Sequence, residues 1–156
     1  MPQEHMTVEG IIQRAIRFEE DAYDFYTGAS EMVKLSHVRD MLNELAGEEV
    51  KHKEKLEGLL AGDTEQIVAA KQRQKIQDLK LADYLVAPPL DEGATIQDVL
   101  MTAMQREKNS HEFYNLMAGM SASGSARDIF QFLAQEELGH KNKVEVLYDD
   151  IIYKEF

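Results

Sequence analysis

Residue n of this chain resembles residue n + 88, and that single offset constrains the fold more than any other feature. AIRFEEDAYDFY (15–26) lines up with AMQREKNSHEFY (103–114), and LAGEEVKHKEKLEGL (45–59) with LAQEELGHKNKVEVL (133–147). The register holds without a gap from Thr7/Thr95 to Leu59/Leu147, and about a third of the paired positions are identical. One register kept over so long a span predicts two copies of one supersecondary unit.

The pattern inside each copy identifies the unit as a helical hairpin. Ile12, Ala15, Glu19, Ala22, Tyr23 and Tyr26 recur at three- and four-residue steps, the period of a helix with one buried face. The second helix shows the same stripe through Leu42, Leu45, Glu49, His52, Leu56 and Leu59. In the fourth it runs through Phe130, Leu133, Glu137, His140, Val144 and Leu147. Thr7 is the expected N-cap of the first helix and Thr95 that of the third, where Asp98 completes a capping-box pattern. The second helix is expected to begin near Ser36, and the fourth near Ser125 in the loop SASGS.

The chain therefore reads as one all-α domain over 1–156, a four-helix bundle of two hairpins spanning 7–61 and 95–156. The connection, 62–94, carries a charged piece from Thr64 to about Lys80 that is expected to be helical, then the breaker Ala87-Pro88-Pro89. A connection this long can cross the length of a bundle, so the second and third helices need not be antiparallel neighbours. That is the one-crossover layout of ferritin-like bundles.

Each apolar stripe contains carboxylates or imidazoles in mid-helix, and polar groups belong there only if something satisfies them. Glu49-Val50-Lys51-His52 and Glu137-Leu138-Gly139-His140 are both Glu-x-x-His, a spacing that puts both side chains on one helix face. A lone Glu-x-x-His is a weak signal on any helix. Here each copy is preceded, 30 residues earlier, by a core carboxylate, Glu19 or Glu107. The resulting four Glu and two His are the ligand set of di-iron and di-manganese carboxylate bundles. Four carboxylates and two divalent cations sum to zero charge, the condition for burying so many ions together.

The absence of cysteine excludes disulfides, thiolate nucleophiles and iron–sulfur clusters, leaving oxygen and imidazole ligands that suit iron, manganese or zinc. A formal net charge of -12 repels nucleic acid and anionic membrane, so neither is an expected partner. The N-terminal residues show no signal-peptide pattern, and no apolar run has the roughly 20 residues that span a bilayer. A cytoplasmic protein is the expectation. His5 and His37 receive no role.

On Glu19 within FEEDAYDFY, Glu107 within REKNSHEFY and the pairs Glu49/His52 and Glu137/His140, the chain resembles the rubrerythrin and ferritin-like di-iron family. The resemblance covers nearly everything outside the connection. It implies a carboxylate-bridged di-iron site that reacts with peroxide or dioxygen. It also implies roles: Glu49 and Glu137 bridge the metals, Glu19 and Glu107 are terminal ligands, and each histidine binds one metal. Two departures stand out. Rubrerythrins carry a cysteine-rich rubredoxin-like domain, impossible without cysteine, so the resemblance implies that electrons come from a separate donor such as a rubredoxin or a flavoprotein. They also have a further Glu one turn beyond the third-helix ligand, where this chain has Ser110. His111, four residues after Glu107, is a possible additional ligand, or a core residue aligned with Tyr23. Tyr26 and Tyr114 each follow their Glu by seven residues and either donate hydrogen bonds near the site or fill the core.

Two functions follow as expectations. One is a di-iron oxidoreductase that reduces hydrogen peroxide or dioxygen. The alternative is non-catalytic iron binding of the ferroxidase type, or a dimanganese catalase-like activity. A chain ending at Phe156, soon after its fourth helix, argues against the large shell of ferritins, whose subunits add a short fifth helix. A homodimer is the ordinary expectation for such a bundle.

Overall fold

The structure, a computed structural model, describes residues 7–153. Four long helices carry the fold: α1 (Val8–Glu31), α2 (Ser36–Ala61), α4 (Ile96–Met120) and α5 (Gly124–Tyr153), with a short α3 (Lys75–Asp78) in the connection. The duplication is visible in their starts, since Val8 and Ile96, like Ser36 and Gly124, are 88 residues apart. Among the described residues, no helix is long and apolar enough to cross a membrane.

The capping expected at the two equivalent starts is present. Thr7 Oγ1 accepts from the Gly10 amide at 2.9 Å. The Asp98 amide donates to Thr95 Oγ1 at 3.2 Å while the Thr95 amide donates to Asp98 Oδ2 at 3.0 Å. These bonds satisfy amides that lack partners in a first helical turn. The second helix starts at Ser36, but its N-cap is Leu35, which offers no side-chain bond. Arg39 ties down that turn instead, donating to the carbonyls of Val33 and Lys34 at 3.3 and 3.0 Å. In the last hairpin Ser123 Oγ accepts from the Ala126 amide at 3.2 Å.

α1 packs along α2 and α4 along α5, giving two hairpins, and α2 meets α5 where the hairpins face each other. The buried apolar residues form two clusters. One contains Ile11, Ile12, Phe18, Leu56, Phe113, Met117 and Phe130; the other contains Leu42, Leu45, Val99, Leu100, Val144 and Leu147. The repeat exchanges them, since Ile12 in the first corresponds to Leu100 in the second. A pseudo-two-fold axis thus crosses the bundle between its apolar ends, and the conserved spacing of the duplication puts the polar residues on that axis.

The connection departs from expectation. Thr64–Lys80 is not one helix: 3-10 turns at Thr64–Gln66 and Ala70–Gln72 precede α3, and a further 3-10 turn runs over Leu81–Leu85. Ile67, Val68, Ile76, Leu81 and Leu85 are all buried against the bundle. Their irregular spacing cannot face one side of a single helix, so burial breaks the helix. Val68 pairs with Ser121 in an isolated antiparallel bridge, through bonds from the Ala69 amide to Met120 O (3.1 Å) and from the Ala122 amide to Ile67 O (2.9 Å). Lys80 adopts the left-handed region at φ 49°, a conformation that ends a right-handed helix. The Leu81–Leu85 turn then packs on both α1 and α4, carrying the chain across the bundle.

Candidate metal centre

Each long helix presents its polar residues at mid-length on the buried face: Glu19 from α1, Glu49 and His52 from α2, Glu107 from α4, Glu137 and His140 from α5. All six are buried. They form a polar layer between the two apolar clusters.

Contacts in this layer cross between the hairpins. His52 Nδ1 lies 2.6 Å from Glu137 Oε1, and His140 Nδ1 lies 2.9 Å from Glu49 Oε1. Each imidazole is farther from the carboxylates of its own hairpin: His52 Nδ1 is 3.8 Å from both Glu19 and Glu49, and His140 Nδ1 is 3.7 Å from Glu107 and 3.8 Å from Glu137. The two rings stack, centroids 5.3 Å apart and planes inclined by 11°. The tyrosines obey the same exchange. Tyr26 Oη donates to Glu107 Oε1 at 2.5 Å, and Tyr114 Oη donates to Glu19 Oε1 at 2.6 Å. Neither hairpin assembles half of the centre alone.

Four carboxylates converging without a cation drive proton uptake. Burial, then the repulsion of Glu137, Glu19 and Glu107, pushes Glu49 well above the ordinary carboxylate range. Burial, then Glu107 and Glu19, does the same to Glu137, although His52 opposes it. Burial would raise Glu19 as well, but the nearby Glu49 and His52 and the hydrogen bond from Tyr114 outweigh it and hold Glu19 below the ordinary range. Burial disfavours the His52 cation, yet Glu137 and Glu19 overcome that and raise it to about 11. Both tyrosines are raised far above their ordinary range, first by burial and then by the neighbouring carboxylates, so they remain hydrogen-bond donors at neutral pH. Without metal, the cluster would keep protons where positive charge is called for.

The donor set fits two divalent ions. Glu19, Glu49, His52 and Glu137 place one donor atom each within 4.8 Å of one another, and so do Glu49, Glu107, Glu137 and His140. Glu49 and Glu137 belong to both sets. Glu19 Oε2, Glu107 Oε2, Glu137 Oε1 and both nitrogens of His52 are buried without a hydrogen-bond partner. The 2.6 Å approach of His52 Nδ1 to Glu137 is therefore a contact without hydrogen-bond alignment, the arrangement of two donors aimed at a common point rather than at each other.

The rubrerythrin family model matches residues 10–148. The chain belongs to the rubrerythrin family. Solved structures show the same ferritin-like fold. A hypothetical protein from Pyrococcus furiosus superposes with a TM-score of 0.74 at 24% identity, over 97% of this chain and 94% of that one. A Thermotoga maritima protein described as a ferritin-like diiron-carboxylate protein gives a TM-score of 0.70 at 19% identity, over 94% and 97% of the two chains. No curated protein gives a significant match.

Other residues of this rubrerythrin-family bundle take places the sequence left open. His111 does not enter the cluster as an additional ligand. Its Nδ1 faces the Ala134 carbonyl at 2.7 Å and must donate to it, which leaves Nε2 to accept from Asn115 Nδ2 at 3.0 Å. Ser110 is buried, with its hydroxyl returned to the Arg106 carbonyl of its own helix at 3.0 Å. Glu136, partly exposed, brings Oε1 to 4.0 Å from His52 Nε2, too far for a hydrogen bond. Arg106 went unnoticed in the sequence. It is buried with its guanidinium 4.6 Å from the Phe18 ring centroid and 5.1 Å from that of Phe25. Phe18 is its repeat equivalent, so residues 18 and 106 meet across the pseudo-two-fold axis. A cation in an apolar stripe, one residue before Glu107, was the available signal. His5 lies outside the described residues.

Proposed function

We propose that the chain is a di-iron oxidoreductase that reduces hydrogen peroxide or dioxygen, with electrons delivered by a separate protein such as a rubredoxin or a flavoprotein. The observation that supports this most is the pair of overlapping donor sets sharing Glu49 and Glu137. These residues would hold two ferrous ions, which would supply two electrons at one point, the number that takes hydrogen peroxide and two protons to two waters. Glu49 and Glu137 would hold both ions, Glu19 with His52 one of them and Glu107 with His140 the other.

The rest of the chain shapes that chemistry. Tyr26 and Tyr114 keep their protons and orient Glu107 and Glu19 from the opposite hairpin. The two apolar clusters exclude water from either end of the layer, which strengthens every charge interaction inside it. Anionic ligands favour the oxidised metal, which makes the reduced centre a ready electron donor.

The second reading is iron oxidation and binding without turnover. Ser110 favours it, because its hydroxyl is engaged with its own helix and supplies no carboxylate that could exchange places as the metal changes charge. Stopped-flow mixing of the anaerobically reduced, iron-loaded protein with peroxide separates the two. Oxidation within seconds, repeated when reductant is supplied, supports the oxidoreductase. One oxidation without reductant-driven turnover supports the binder. Rapid peroxide disproportionation by the manganese-loaded protein alone would replace both with a catalase-like activity.

A further inference from the structure

The α1–α2 face of the bundle opens onto the carboxylate layer through a cleft of about 280 Å³. Its floor is Glu19 and Glu49, one wall is Val50, and its mouth carries Glu20, Tyr23, Asp24 and Lys53. Glu19 Oε2 is buried there without a hydrogen-bond partner, in a side chain only 1% exposed. The repeat supplies a comparison within the same molecule. At the equivalent places on the α4–α5 face stand Lys108 for Glu20, His111 for Tyr23 and Leu138 for Val50. His111 straps that second face by its bond to Ala134 O on α5, at 2.7 Å, whereas Tyr23 turns outward and is 42% exposed. The two faces of a nearly symmetric bundle therefore differ in both charge and closure.

At the mouth, Lys53 Nζ stands 3.3 Å from Glu20 Oε2, an exposed ion pair of the kind that contributes little and parts easily. When it parts, Glu20 and Asp24 lie one turn apart on α1 above the two carboxylates of the floor. A ladder of carboxylate oxygens leading inward attracts and hands on a divalent cation, and repels anions. We propose that the α1–α2 cleft is the route by which divalent metal ions load the centre: Glu20 and Asp24 capture the ion, Lys53 holds the mouth closed between passages, and Glu19 receives it. This rests on the two-metal reading of the cluster.

Loading of the chelator-treated chain with cobalt(II), followed anaerobically by stopped-flow absorbance and completed by a count of bound metal, tests the route. In Glu20→Gln/Asp24→Asn, and separately in Val50→Phe, loading should slow by about tenfold, with two ions per chain still bound at the end. Leu138→Phe, the same plug on the strapped face, should load at the wild-type rate. Unchanged loading in both α1–α2 variants, or equal slowing by Leu138→Phe, overturns the route while leaving the two-metal reading intact. A plug that slows peroxide oxidation of the loaded centre but not its loading also overturns it, assigning the cleft to the oxidant. Failure of the wild-type chain to bind two ions sinks both.

Discussion

Consider Tyr26→Phe. The phenol of Tyr26 is completely buried and donates at 2.5 Å to Glu107, a carboxylate of the other hairpin. Phenylalanine keeps the ring and its packing, so the change removes one hydrogen bond and little else. A hydrogen bond to a charged group is worth about 1.5–3 kcal/mol, and loss of a bond that orients a metal ligand costs about 10–100-fold in affinity. Bound metal already neutralises part of the Glu107 charge, which puts the expected effect at the lower end, about tenfold. The informative quantity is where the loss falls. It should strike the Glu107/His140 half of the centre, not the Glu19/His52 half whose terminal carboxylate shares a helix with Tyr26. Anaerobic cobalt(II) titration of paired variants reads this out. Tyr26→Phe with His140→Ala damages one half only and should keep one tightly bound ion. Tyr26→Phe with His52→Ala damages both halves, and the one ion it keeps should bind about tenfold more weakly. Tyr114→Phe should show the reverse pattern. If Tyr26→Phe instead weakens the ion left in His140→Ala and spares the one left in His52→Ala, the crossed hydrogen bonding is wrong.

Glu49→Gln and Glu137→Gln should each lower occupancy below two ions by elemental analysis, because each residue serves both donor sets; two ions retained in either would refute the bridging roles. His111→Ala should leave the metal count at the wild-type value, since the ring is committed to Ala134 and Asn115; loss of an ion would restore it as a ligand. The metal-free protein should lose stability as pH rises. Glu49 and Glu137 have raised folded-state pKa values, so their stabilisation is complete below the ordinary carboxylate range and disappears as they ionise. His52, raised to about 11, acts in the same direction, with stabilisation lost between its unfolded value and about 11. Glu19 opposes them only in acid, below the ordinary carboxylate range. Metal binding needs these groups deprotonated, so the rise in melting temperature on adding metal should grow from pH 5 to pH 8, about the range in which protons and metal compete. A difference that shrinks over that range would contradict the electrostatic account.

Much of this was legible before any coordinate. Helical periodicity is local, so the stripes through Glu19, Glu49 and Glu137 announced three buried faces, and Thr7 and Thr95 marked two helix starts. The offset of 88 then showed that one hairpin had been made twice, and the repeated Glu-x-x-His named the donors. The connection misled because charge and propensity suggested a helix, while the need to bury Ile67, Val68, Ile76, Leu81 and Leu85 dictated a series of turns.

The sequence by itself determined which side chains are available to the centre and that each sits in mid-helix on a buried face. Tertiary structure alone decided how they pair. Tyr26 meets Glu107 across 81 residues, His140 meets Glu49 across 91, and Tyr114 meets Glu19 across 95. No local preference encodes such separations. They arise because two hairpins with matching apolar stripes pack about a pseudo-two-fold axis, which brings Glu49, Glu137 and the two tyrosines into the other hairpin's half of the site.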